Sequence, residues 1–160
     1  MINKFCFHET SIDNALLILM REEICPLWDL VDSEDERNVI SQERGSKNYG
    51  DYVYTSTFSK KIDDEYLYCG TWSDPDVLFT IKTNKDIILR SKYSKVEGGI
   101  LQIKGCVKIK DIYHINIEPN IINDDNMSEI LKIKRIAVER GIQFTVKDRS
   151  EIIKFYIEEQ

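Results

Sequence analysis

The sequence predicts an α+β domain, a sheet of short strands with one early helix and two late ones. Three observations carry this expectation. From Tyr52 onward, short apolar and β-branched runs alternate with glycine-containing turns, a spacing that suits an antiparallel or mixed sheet better than strand–helix repeats. One stretch near the start and two in the last third place apolar residues at three- and four-residue intervals, the period of a helix with one buried face. The chain has 160 residues, 42% hydrophobic and 31% charged, so it is composed like an ordinary globular domain and can bury about two-thirds of its unfolded surface. A single domain over 1–160 is expected, with a polar excursion at 29–48.

The elements follow in order. Residues 2 to 8 read as a strand. Ser11 is placed to cap a helix, with Asp13 in its first turn where a negative charge complements the helix dipole. Ile12, Ala15, Leu16, Leu19 and Met20 give that helix one apolar face, running to about Glu23 ahead of Cys25-Pro26. Residues 29 to 48 lack periodicity and read as a surface excursion, with at most a brief helix around Val31, Val39 and Ile40. Tyr52-Val53-Tyr54-Thr55-Ser56 is rich in strand formers, and residues 61 to 69 suit a short helix. Val77–Ile81, Ile87–Leu89, Ile100–Lys104 and Val107–Ile117 read as four further strands, with turns at Gly98-Gly99 and Gly105. Ile130 to Ala137 has helical period and Gly141 is placed to end it. Gln143–Val146 is a short strand, and Asp148-Arg149-Ser150-Glu151 has the form of a capping box before a last helix through Tyr156.

Composition excludes several functional classes. No apolar run approaches the roughly 18 residues that span a bilayer, and the opening Met1-Ile2-Asn3-Lys4 is not a signal peptide, so a cytoplasmic protein without membrane contact is expected. Cys6, Cys25, Cys69 and Cys106 show neither CxxC nor CxxH spacing. No metal site is therefore expected, and three of the four are expected to pack as small hydrophobes. The formal net charge of −6 argues against binding nucleic acid over the whole surface. Its distribution is uneven: residues 28 to 74 hold eleven acids against five bases, and residues 81 to 110 hold eight bases against two acids. The basic stretch suits an anionic ligand, and equally suits solvated strand faces whose lysines discourage edge pairing. Asp63-Asp64-Glu65 reads as a solvated helix start and Trp72 as a core plug.

The chain has two histidines. One, His8, stands where a strand passes into a helix, a place where a polar side chain can face a ligand. His8-Glu9-Thr10, together with Gly50-Asp51-Tyr52-Val53-Tyr54, Ser59-Lys60 and Tyr66, resembles the ADP-ribosyltransferase superfamily of the His-Tyr-Glu type (diphtheria-toxin/PARP-like). The motifs are the His-x-Thr/Ser that ends the first strand, the Gly-x-Tyr strand, the Ser-Lys element and the second tyrosine. Tyr54 and Tyr66 stand twelve residues apart. The opening from Phe7 to Leu19 is also similar to the start of the DNA-modifying toxin branch. The likeness covers about the first 110 residues and implies a split sheet with NAD, as substrate, bound in a cleft between the His8 and Tyr54 strands.

The resemblance also implies roles. Cleaving the nicotinamide–ribose bond builds positive charge on the ribose, as in glycoside chemistry, and so calls for an aromatic slot, ribose donors and a fixed carboxylate. His8 and Thr10 would hold the adenosine-side ribose. Tyr54 and Tyr66 would sandwich the nicotinamide over Ser56, and Lys104 would meet the pyrophosphate. The family's glutamate lies late on a strand. Here Ile100 or Gln102 falls at that place, with Glu97 the nearest acid. Glu97 swings in through the glycine pair, or Gln102 fills the slot in a chain that binds without transferring, or the likeness is superficial. A glutamine cannot supply the negative charge. The expected activity is transfer of ADP-ribose to a protein or nucleic acid, as in microbial toxins and phage or anti-defence effectors. The alternative is an inactive binding module of the same fold, acting through protein contacts.

Overall fold

The computed structural model describes residues 4–31, 33–44, 49–60, 66–68, 76–93 and 99–159. Glu97, Cys69, Trp72 and the acidic triplet at 63 to 65 lie outside the described residues. A seven-stranded sheet runs in the order β11-β10-β6-β1-β3-β8-β7. Its strands are β1 (Phe5–Thr10), β3 (Tyr52–Ser56), β6 (Val77–Lys82), β7 (Ser91–Tyr93), β8 (Ile100–Lys104), β10 (Ile112–Ile117) and β11 (Gln143–Val146). Every neighbouring pair is antiparallel except β10 and β11. Two small ladders stand apart: β2 (Glu23–Ile24) with β9 (Val107–Lys108), and β4 (Phe58–Lys60) with β5 (Tyr66–Tyr68). The α+β architecture is the one the sequence predicts.

The sheet is split. β1 joins β6 through six residue pairs, from Phe5 with Lys82 to Thr10 with Val77, but joins β3 through one pair, Phe7 with Ser56. β3 instead pairs with β8 along its whole length, from Tyr52 with Lys104 to Ser56 with Ile100. The last half of β1 and the first half of β3 therefore belong to different ladders.

Strand alternation sorts side chains onto two cores. Cys6, Val53, Phe79, Ile81, Leu101, Ile103, Ile115 and Ile117 face α1 (Ile12–Arg21) and α5 (Met127–Glu139), which contribute Ile12, Ala15, Leu19, Ile130, Ile133 and Ala137. On the reverse face Phe5, Phe7 and Leu78 pack against Ile152, Ile153 and Tyr156 of α6 (Arg149–Glu158). The caps read from sequence form at α1, where Ser11 Oγ accepts from the Asn14 amide at 3.2 Å, and after α5, where Gly141 takes φ +69. At α6 the Asp148 side chain makes no capping bond. The Arg149 amide donates instead to Glu118 Oε2 at 2.9 Å.

Four expectations are corrected. Ile87–Leu89 is not a strand but the middle of α4 (Lys85–Arg90), because Asn84 caps it, its Oδ1 accepting from the Ile87 amide at 2.9 Å. Val107–Ile117 is interrupted by a 3-10 turn at Ile109–Asp111. β9 is held by β2, and the Ile109 amide donates to Glu22 O, so the chain must turn before entering the large sheet. Within 61 to 69, the described residues 66 to 68 are strand β5 rather than helix. The 29–48 stretch holds a two-element helical structure, α2 (Leu27–Leu30) and α3 (Glu34–Arg44). Ser33 starts α3, its Oγ accepting from the Glu36 amide, and Arg37 ties it back through the carbonyls of Trp28 and Val31. No helix among the described residues is long and apolar enough to cross a membrane.

Candidate functional site

His8 stands at the split. Its Nδ1 lies 3.0 Å from Tyr54 O, and since a carbonyl only accepts, Nδ1 carries the proton and donates. Nε2 is then a bare acceptor. The ring also stacks on Phe79, its cross-strand partner, with centroids 6.4 Å apart. Burial holds the imidazole pKa below the usual histidine value, outweighing the Tyr54 carbonyl and the Glu9 charge, which act the other way. A neutral ring with a fixed tautomer can accept a hydrogen bond from a ligand hydroxyl at neutral pH.

Beside it lies a hollow of about 290 Å³, near the small end of the roughly 300–1,000 Å³ range of small-molecule sites. His8 and Thr10 form one wall, Asn14, Leu17, Ile18 and Arg21 a second, and the segment from Glu23 to Cys25 with Leu30 a third. The second wall is a single stripe of α1. Residues 14, 17, 18 and 21 follow the helical repeat, rotated from the buried stripe of Ile12, Ala15 and Leu19. Asn14 and Arg21 were not singled out from the sequence, although their helical spacing beside Leu17 and Ile18 is the signal that finds them. Arg21 gives the hollow its cationic group.

The predicted residues divide between two faces. His8 and Thr10 share the hollow on the α1 face. Tyr54 pairs with Gln102, whereas Val53 and Thr55 pair with Ile103 and Leu101 of the α1-side core, so alternation puts Tyr54, Ser56, Gln102 and Lys104 on the reverse face. The expected cleft lined jointly by the His8 and Tyr54 rings is revised accordingly. The two strands are neighbours, but His8 meets the Tyr54 carbonyl, and the ring leaves the strand on the other side. Lys104 is exposed and does not line the hollow, and its carbonyl accepts from Arg90. Arg21, not Lys104, lines the hollow. Tyr66 starts β5, paired with Lys60 in the small hairpin.

Two other groups bear on chemistry. Cys6 is wholly buried, and burial pushes its thiol up to about 12, so it is no nucleophile for neighbouring His8. Glu9, next to His8, has a side chain only 4% exposed and pairs with Arg149 of α6 at 3.3 Å. Sequence reading passed over it as the variable position of His-x-Thr.

No protein-family model matches the chain, and no curated protein matches it. Among solved structures the fold is similar to that of Thermus sp. 2.9 DarT in complex with ADP-ribosylated ssDNA, with a TM-score of 0.51 and 13% sequence identity over 90% of this chain and 94% of that one. At that identity the likeness is one of fold.

Proposed function

We propose that this chain is an ADP-ribosyltransferase-like protein that binds NAD across the split between β1 and β3 and transfers ADP-ribose to a nucleic acid strand. The observation that carries the reading is His8 itself: a neutral imidazole, tautomer fixed by the Tyr54 carbonyl, at the split between β1 and β3 and on the wall of a hollow that Arg21 also lines. Nε2 and Thr10 hold the adenosine-side ribose, Arg21 meets the pyrophosphate, and Asn14 contributes a further polar contact from α1. Glu97 supplies the carboxylate that stabilises the ribosyl cation. The acceptor is favoured by the similarity to a structure that contains ADP-ribosylated ssDNA. Such a modification, made in the cytoplasm, suits a microbial toxin or a phage effector.

The test is incubation of the full chain with NAD labelled in its adenosine half, single-stranded oligonucleotides and a cell lysate. Label should pass to DNA with release of nicotinamide, and His8→Ala should lower the rate by about 100-fold or more. No transfer and no nicotinamide release, with His8→Ala indistinguishable from the parent, refutes it. A second reading is favoured by one observation: Gln102, a neutral side chain, sits at the β8 position opposite Tyr54. An inactive module of this fold would bind NAD or ADP-ribose in calorimetry with no turnover.

A further inference from the structure

The third wall of the hollow contains a group of side chains that the ADP-ribosyl chemistry does not use. β2 and β9 pair antiparallel, Glu23 with Lys108 and Ile24 with Val107. Continued by one step, that register sets Cys25 opposite Cys106. Gly105, at φ +78, turns the chain ahead of Cys106 in a conformation that glycine adopts freely. Glu23, two residues before Cys25, projects to the same side. One donor atom each from Glu23, Cys25 and Cys106 all lie within 4.8 Å of one another. Cys25 Sγ is 3.6 Å from Glu23 Oε1, while Glu23 Oε2 is held by the Lys108 ammonium. Asp29 of α2 adds a second carboxylate, its Oδ2 being 3.3 Å from Cys106 Sγ. Three of the four cysteines are expected from sequence to pack as small hydrophobes, but Cys25 and Cys106 are both half-buried beside carboxylates.

We propose that Cys25, Cys106 and Glu23, with Asp29 as the fourth donor, bind a thiophilic divalent cation of the zinc class and so clasp the turn after β2 to the turn before β9. Two thiols and a carboxylate are a borderline-soft donor set of the kind that selects such an ion over magnesium or calcium. A tetrahedral ion with bonds of about 2.3 Å to sulfur and about 2.0 Å to oxygen spaces its donors by roughly 3.3–3.8 Å, a small contraction of the present cluster. A disulfide would need no carboxylate on either side. Close pairs of ligands in sequence are the usual sign of a zinc site. Here the pair is made across a ladder, which is why spacing alone did not reveal it. The proposal does not depend on the ADP-ribosyl reading.

The experiment uses the full chain, stripped of metal and kept reduced, titrated with Co²⁺ as the spectroscopic probe. The expected result is a thiolate-to-cobalt band in the near ultraviolet with the visible bands of tetrahedral cobalt, saturating at a single ion per chain and displaced by Zn²⁺. Zn²⁺ should raise the thermal midpoint of the parent and of His8→Ala, but not of Cys25→Ser or Cys106→Ser. Glu23→Gln should keep the thiolate band and weaken binding by at least the roughly 10–100-fold that loss of an outer-shell partner costs. A reduced parent chain showing neither the bands nor a shifted midpoint overturns the site. So does recovery of the chain, trapped with alkylating agent at isolation, mainly as a Cys25–Cys106 disulfide.

Discussion

The two histidines show how environment decides what one residue type does. His8 keeps a free acceptor toward a hollow, whereas His114 has both ring nitrogens committed inside the protein. Asn116 Nδ2 donates to Lys147 O and its Oδ1 accepts from the Lys147 amide, which fixes the amide's orientation. The Thr145 hydroxyl donates to that same Oδ1 at 2.7 Å, so it must accept from His114 Nε2 at 2.6 Å. Nδ1 is therefore bare and accepts from the Tyr156 hydroxyl at 2.8 Å. A second proton has no place on this ring, and burial, followed by the Lys147 charge, lowers its pKa to about 4. The unfolded ring protonates near pH 6.5 and the folded one near 4, so the unfolded state binds the extra proton between those values. Stability is then lost as pH falls through that window, by on the order of 3 kcal/mol. Urea unfolding at pH 7 and pH 4.5 checks this: the acid-induced fall in midpoint should shrink in His114→Gln. An equal fall in both proteins contradicts it. The strand context of His8 was legible in the sequence. The His114 network was not, because its five members come from β10, from β11 and the residue that follows it, and from α6, and meet only through the tertiary fold.

At the level of elements, what sequence reading found and missed follows from which residue held the deciding bond. α1 and α5 announce themselves through long apolar stripes and a local cap, and both were read correctly. α4 did not, since Ile87-Ile88-Leu89 is too short an apolar run to distinguish strand from helix. Asn84 decides it, capping Ile87 through Oδ1 and donating from Nδ2 to Asp111 Oδ1 at 2.9 Å. Asn84→Ala should destabilise the protein by about 1–2 kcal/mol, more than an exposed helix substitution such as Leu89→Ala, because one change removes the cap and strips Asp111 of its donor. Urea denaturation of the two variants measures it, and equal effects would count against the cap. The break between β9 and β10 was invisible for another reason. It is imposed by β2, whose partner strand lies more than eighty residues away.

The whole molecule is two half-sheets joined along one line. On one side β6 is paired on both edges, with β1 and with β10; on the other, β3, β8 and β7 meet β1 through Phe7 with Ser56 and the His8–Tyr54 bond. Local opening should follow that line. In hydrogen exchange, amides of β6 and β10 should exchange only with global unfolding, and those of β3 and β8 sooner. Uniform protection across all four strands would show that the halves do not open separately. The split sheet was legible in the sequence through the resemblance carried by His8, Thr10 and Tyr54. The assignment of side chains to its two faces was not. A strand's faces alternate residue by residue, and the register between β1 and β3 is set by contacts that no local pattern encodes.

The central position of β1 has a consequence for synthesis. Phe5, Cys6 and Phe7 are buried to within 8% of full coverage, yet their ladder partners, Ser56 and the strand from Val77 to Lys82, are translated some fifty to seventy-five residues later. On the ribosome, an apolar ribbon with two open edges must wait for both neighbours. A nascent chain of this kind is vulnerable to sticking to its copies, and its dependence on distant contacts makes folding slow. Cells that make it in quantity should lean on chaperones until β6 has emerged.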